Sequence, residues 1–228
     1  GVGYFSNDLG LPAYQGYLNA ESLTFAEVLK ASGYQTLTSG KWHVSGKGKS
    51  APWQRGFDKV YPQEAAMSGS GAPTFKEPRA DVDGYPLAED YATNLINKHA
   101  EGFLREAKQV DKPFFLYLAH TAPHWPLLAL REDIAHYKGR YDKGWDAIRQ
   151  QRFDKQKALH IIADTAALST RDANLYDWDS LSSAEKQGWS RKMEVFAAMV
   201  HRLDISIGSL LHTLEANGQL SNTVIFFL

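Results

Sequence analysis

A lysine and a histidine one residue apart, Lys41 and His43, follow a short run that reads as a strand, Tyr34 to Thr38, closed by Ser39-Gly40. A second histidine-bearing stretch, Ala119-His-Thr-Ala-Pro-His-Trp-Pro126, follows the apolar run Phe114–Ala119. A cation with imidazoles nearby suits a tetrahedral anion. The ammonium neutralises oxygen charge, and a histidine can protonate a leaving oxygen. On residue types alone this is an anion site, with phosphoryl or sulfuryl transfer as its chemistry. Any one lysine or histidine at a strand end is more often a solvated charge or a partner for the backbone, so the weight falls on the combination. Pro123 and Pro126 stiffen the loop around His124 and lower the entropy of holding its ring. His120 sits at the strand end itself and is the less favoured histidine, expected only to close off backbone groups.

The elements that must position these residues read as α/β. Thr24 and Glu27 form a capping box, Leu23, Val28 and Leu29 share a face, and Gly33 suits the left-handed position past the helix end. Val44–Asp90 reads as irregular and includes Met67-Ser-Gly-Ser-Gly-Ala-Pro73. Helical period returns over Glu89–Lys108, with Tyr91, Leu95, Ile96, Phe103 and Leu104 opposite Lys98, Glu101, Arg105 and Glu106. The uninterrupted run Phe114–Ala119 predicts a strand covered on both faces, hence a mostly parallel sheet flanked by helices. Leu127–Ser183 predicts short helices such as Asp146–Ala158. A long helix is expected over Ala184–Ala216, with a stripe at Met193, Phe196, Ala197, Val200, Leu203, Ile207, Leu211 and Leu214, and a closing strand over Thr223–Leu228. In such a sheet ligands bind beyond the carboxyl ends of the strands, so Lys41, His43 and His124 are expected to converge.

Composition narrows the function classes. Lys+Arg 25 against Asp+Glu 26 gives no electrostatic reason to expect nucleic acid or an anionic membrane as partner. With no cysteine, disulfides, thiolate zinc sites and a cysteine nucleophile are excluded within these residues. No apolar run approaches the roughly 18 residues of a membrane span. No internal repeat or shift of composition marks a second domain. Gly1 is not a natural initiator and Thr223–Leu228 reads as a strand with nothing after it, so the chain is expected to be part of a longer one.

Several segments, in order along nearly the whole chain, resemble the arylsulfatase-type sulfatases of the alkaline-phosphatase-like superfamily. They are Leu23-Thr-Phe-Ala-Glu-Val-Leu-Lys-Ala-Ser-Gly-Tyr-Gln-Thr36, Gly40-Lys-Trp-His43, Arg55-Gly-Phe-Asp58, Lys112-Pro-Phe-Phe-Leu-Tyr117, Ala122-Pro-His-Trp-Pro126, Tyr137-Lys-Gly-Arg-Tyr-Asp142, Met193–Val200 and Asn222–Phe227. The resemblance implies a sulfatase fold, residues 1–228 as the central part of one catalytic domain, and hydrolysis of an aryl or carbohydrate sulfate ester. By the same resemblance Lys41 contacts the sulfate and the nucleophile, and His43 hydrogen-bonds the nucleophile and helps break the sulfated intermediate. His124 contacts the sulfate and assists the leaving oxygen. Export to the periplasm or outside the cell is a further family-level expectation.

The departures matter as much. The family's formylglycine arises from a C/S-x-P-x-R motif that is absent here. Ser50-Ala-Pro-Trp-Gln-Arg55 places its arginine one position late, which makes Ser50 a decoy. The family's Ca2+ ligands and second lysine also have no counterpart, and Asp81 and Asp83 read as a solvated turn, not a calcium site. Nucleophile and Ca2+ ligands are therefore expected outside this chain, which by itself should be inactive. A phosphonate or phosphodiester hydrolase of the same superfamily, and a non-catalytic binder of sulfated glycans, stand as alternatives.

Overall fold

The computed structural model describes residues 16–45, 50–62 and 84–228. Met67–Pro73 and the pair Asp81 and Asp83 lie outside the described residues. The rest forms two compact units, one drawn from Gly1–Ala122 with Leu203–Leu228, the other being Pro123–Arg202.

In the first unit, helix α1 spans Phe25–Ala31. The expected capping box is present: Thr24 Oγ1 accepts from the Glu27 amide at 3.0 Å and Glu27 Oε2 accepts from the Thr24 amide at 2.7 Å. The expected apolar face is not the buried one. Ala26 is buried, whereas Leu23, Phe25 and Val28 are exposed. The reason is a close backbone approach, since a Cβ on Gly56 would stand 2.4 Å from the Glu27 amide nitrogen. Only the small side of α1 can face that loop.

Strand β1 spans Gln35–Gly40, one residue later at its start than expected and two at its end. It is the middle strand of a three-stranded, all-parallel sheet, between β2 (Lys59–Pro62) and β3 (Phe114–Ala119). β2 lies inside the stretch expected to be irregular. Four residues that begin with lysine and end with proline carry too little alternation to announce a strand. β3 is only half-buried and Tyr117 is exposed, so full cover on both faces, inferred from its apolar run, does not hold. The deeply buried strand is the polar one: Thr36, Leu37, Thr38 and Ser39 are all buried. Its hydroxyls are accommodated by partners, Ser39 Oγ donating to Ile96 O at 2.6 Å and Thr36 Oγ1 to Gly56 O at 2.6 Å.

Helix α2 (Ala92–Ala107) covers one face of the sheet. Leu104 and Ala107 pack with Leu37 and Leu214, and Phe114, Leu116, Leu210 and Leu211 close around them. Each fully buried leucine contributes about 2 kcal/mol of transfer free energy. Two of the last carbonyls of α2 accept from side chains, Ala107 O from Gln35 Nε2 and Leu104 O from Asn217 Nδ2.

The second unit contains α3 (Arg131–Ala135), α4 (Gly144–Ala158) and the first part of α5 (Ser183–Ala216), whose last residues belong to the first unit. On α5, Ala197 and Leu214 of the expected stripe are buried, but Met193 and Val200 are exposed while Ala198 and Met199 are buried, so the stripe shifts around Glu194. Glu194 is buried in their place because it accepts from the Gly139 amide at 2.8 Å and pairs with Arg191. Buried Asp133 is held by Arg202 in a two-pronged pair, both contacts 2.7 Å. The expected closing strand Thr223–Leu228 is not formed. Thr223 is extended, but the segment pairs with no strand among the described residues, and Val224, Phe226 and Phe227 are exposed. An apolar β-former run becomes a strand only when a neighbour supplies its ladder.

Candidate active site

Register sets the first half of the site. Gly40 pairs with Ala119 at the carboxyl ends of β1 and β3, and the Lys41 amide donates to Ala119 O at 2.8 Å. Gly40 has φ +110°, and a Cβ there would lie 2.0 Å from Ala119 O, so no other residue fits. The chain therefore leaves the sheet at one defined angle, with Lys41 as its first residue.

Trp42 anchors the next turn of the chain. Its indole N–H donates to Ser50 O at 2.8 Å, and its ring meets Phe57 edge-on at 5.6 Å and Tyr117 at 6.3 Å. Phe57 in turn stacks on Phe115 at 6.1 Å. An anchored ring between Lys41 and His43 restricts the backbone on both sides of it. Ser50 is fully buried and its carbonyl serves this anchor, a structural position for the residue read as a decoy.

The Arg55-Gly-Phe-Asp58 run, which the sequence offers only as a resemblance, is scaffolding in the structure. Arg55 Nε donates to Glu27 Oε1 at 2.8 Å and its NH2 reaches Ser22 O; the Arg55 bond, then the Thr24 amide, hold the Glu27 carboxyl below its usual range against the opposing effect of burial. Asp58 accepts from the Thr36 amide at 3.1 Å and pairs with Lys30 at 2.6 Å. Burial alone would raise the Asp58 pKa, but the Lys30 and Thr36 contacts outweigh it and leave it lowered. These four residues brace the start of β1 and the aromatic cluster under Trp42.

His120 follows Ala119 and so stands at the same level of the sheet as Lys41. Both of its ring nitrogens are buried with no hydrogen-bond partner, and burial pushes the imidazole down to about 4. The expectation that it closes off backbone groups is thus not met. Loop position suggested a backbone partner, but the ring is withdrawn from water without finding one. An unpaired buried polar group is the exception in folded proteins.

His124 opens the second unit. Its Nδ1 lies 2.6 Å from Trp125 O. A carbonyl can only accept, so Nδ1 carries the proton in this contact and Nε2 is the nitrogen left to exchange one. The Trp125 ring lies 5.8 Å from the imidazole and 27° from parallel to it, and is 75% exposed. Lys41 and His43 belong to the first unit and His124 to the second; their meeting around one ligand belongs to the proposed function.

Among the described residues no group of three or more His, Asp or Glu could hold a metal ion. The described residues do not fit a calcium site, and none of the chemistry assigned to them runs through one. No helix among the described residues is long and apolar enough to cross a membrane.

Comparison with known proteins bears on the same segments. The family model described as Sulfatase matches residues 4–228. An uncharacterised sulfatase of Schizosaccharomyces pombe is 35% identical over 240 residues, covering 96% of this chain and 42% of that protein. An arylsulfatase of Klebsiella aerogenes is 31% identical, covering 100% of this chain and 51% of its own. An N-acetylglucosamine-6-O-sulfatase of Bacteroides thetaiotaomicron is 26% identical, with 99% and 47% covered. The chain spans about half the length of these relatives. Among solved structures, one in complex with its substrate D-glucosamine-2-N,6-O-disulfate aligns with a TM-score of 0.55 at 20% identity over 97% of this chain and 52% of that one. The phosphonate monoester hydrolase of Silicibacter pomeroyi aligns at 0.53 and 18%, covering 92% and 47%. At such identities the structures speak to fold alone, the alkaline-phosphatase-like one. The sequence matches go further, and the chain belongs to the sulfatase family.

Proposed function

We propose that the protein carrying this chain hydrolyses the sulfate ester of a small molecule or glycan. The observation that carries the reading is the Gly40-Lys-Trp-His43 corner, a cation and an imidazole held at the carboxyl end of a parallel strand in a chain of sulfatase descent. Lys41 neutralises the sulfate oxygens, whose charge grows as the ester bond breaks. His43 hydrogen-bonds the attacking oxygen. His124 joins them and protonates the leaving oxygen through Nε2, the nitrogen that its contact with Trp125 O leaves available. The attacking group, a formylglycine, and a Ca2+ ion are supplied by residues other than those described here.

The test is turnover of an aryl sulfate by the full-length protein with Lys41→Ala or His124→Ala. Each should lower kcat/KM by roughly 100-fold or more. Near-normal turnover by both would sink the assignment. Running an aryl phosphate diester and a phosphonate monoester beside the aryl sulfate separates this reading from a phosphoryl-transfer one.

A further inference from the structure

We propose that Trp125 is a specificity-determining residue: its exposed indole is the platform on which the ring of the substrate's leaving group rests, beside His124. The inference rests on the sulfatase reading. Trp125 is 75% exposed in a loop bounded by Pro123 and Pro126, so its indole face is open to a ligand and the loop that carries it is stiffened. Its ring lies nearly parallel to the His124 imidazole at 5.8 Å, and its carbonyl orients that imidazole at 2.6 Å. Leu127, two residues further on, is 37% exposed.

These positions have a chemical consequence. If His124 protonates the ester oxygen, the carbon bonded to that oxygen is the next atom out. An indole adjacent to the imidazole, tilted by 27°, is placed to meet whatever that carbon belongs to. The ligand chemistry that matches an indole face is another flat or C–H-lined six-membered face. An aryl ring and a pyranose ring both offer one; a short alkyl chain does not. Trp125 therefore selects ring-bearing esters and contributes nothing to binding of the sulfate group itself.

Steady-state kinetics of the full-length protein and its Trp125→Ala and Trp125→Phe variants test this, with 4-nitrophenyl sulfate, N-acetylglucosamine 6-sulfate and n-propyl sulfate as substrates and inorganic sulfate as inhibitor. Trp125→Ala should raise KM about 5- to 10-fold for at least one ring substrate, the size of an aromatic contact. Its kcat should change little, and Trp125→Phe should recover most of the loss. The Ki of inorganic sulfate and the kinetics on n-propyl sulfate should stay as in the wild type. An effect on the nitrophenyl ester alone assigns the platform to aryl rings, and on the sugar ester alone to pyranoses. The proposal is overturned if Trp125→Ala matches the wild type on both ring substrates, or if it weakens inorganic sulfate and n-propyl sulfate equally. A wild-type protein that hydrolyses none of the three esters defeats the sulfatase reading, and the platform with it, a result distinct from an active enzyme indifferent to Trp125.

Discussion

His120 should make the protein acid-sensitive in a way that one substitution removes. Its imidazole is pushed from 6.5 down to about 4 by burial, so the folded state resists a proton that the unfolded chain accepts readily. Well above the unfolded value both states are neutral and His120 contributes no pH dependence. As pH falls below it, the unfolded chain binds the proton first and stability drains away until the folded ring also protonates near its own depressed value. The loss accumulates at up to about 1.4 kcal/mol per pH unit, reaches about 2 kcal/mol near pH 5, and levels off at about 3 kcal/mol. His99, whose pKa is also lowered, first by burial and then by Lys98, adds a loss of the same sign, so the His120 share must be read by difference. The assay is urea unfolding of the full-length protein and of His120→Gln and His120→Phe at about pH 7, 6 and 5. The gap between wild type and each variant should shift by about 2 kcal/mol in the variants' favour between the highest and lowest pH, whatever its starting value. His120→Phe should also lose no stability near neutral pH, because it removes two buried nitrogens that bond nothing. Parallel pH curves for all three proteins would refute the reasoning.

The bracing of the Lys41 corner yields two further expected outcomes. Gly40→Ala should cost roughly 2 kcal/mol or more and lower the melting temperature, because its Cβ would overlap Ala119 O and its φ is one that side chains avoid; an unchanged melting curve would contradict the register described. Arg55→Met should cost about 2 to 3 kcal/mol near neutral pH through loss of the Glu27 pair and of the bonds to Ser22 and Asn19. Arg55 holds the Glu27 carboxyl below its usual range, so that advantage is present above about pH 4.5 and should shrink as pH falls through the lowered value. A gap between wild type and variant that widens in acid would contradict this.

Where local signals were strong, sequence and structure coincide. The Thr24/Glu27 capping box, the long helix ending before Gly218 and the strand–glycine–Lys41 corner were all legible, because each is specified within a few residues. What escaped depended on partners far along the chain. The four residues of β2 become a strand only beside β1. The buried face of α1 is set by the approach of Gly56, and the burial of Glu194 beside Ala197 and Ala198 on α5 goes with its bond from the Gly139 amide. Thr223–Leu228 has the composition of a strand but pairs with none among the described residues. Within the proposed site, Lys41 and His43 were singled out by spacing and His124 by its prolines, and their joint role rests on the proposed function. His120 was not singled out, since nothing in its neighbours says that both nitrogens will be buried unpaired. The roles of Arg55-Gly-Phe-Asp58 were likewise hidden until their contacts with Glu27 and Thr36 were visible.

The polar interior of β1 also bears on the order in which the molecule can assemble. Ser39 Oγ donates to a carbonyl 57 residues away, and Thr36 Oγ1 meets Gly56 O and the Asp58 carboxylate, 20 and 22 residues away. Closing those loops costs entropy that no local contact repays, and until both are closed the strand carries dry, unanswered hydroxyls. β1 is thus kept from completing early by hydrophobic collapse, as a valine-rich strand would. The strand that delivers Lys41 is tied to α2 through Ser39 and to the Arg55–Asp58 brace through Thr36. A chain in which those distant partners are not in place carries the lysine and histidine but not the braced corner that holds them.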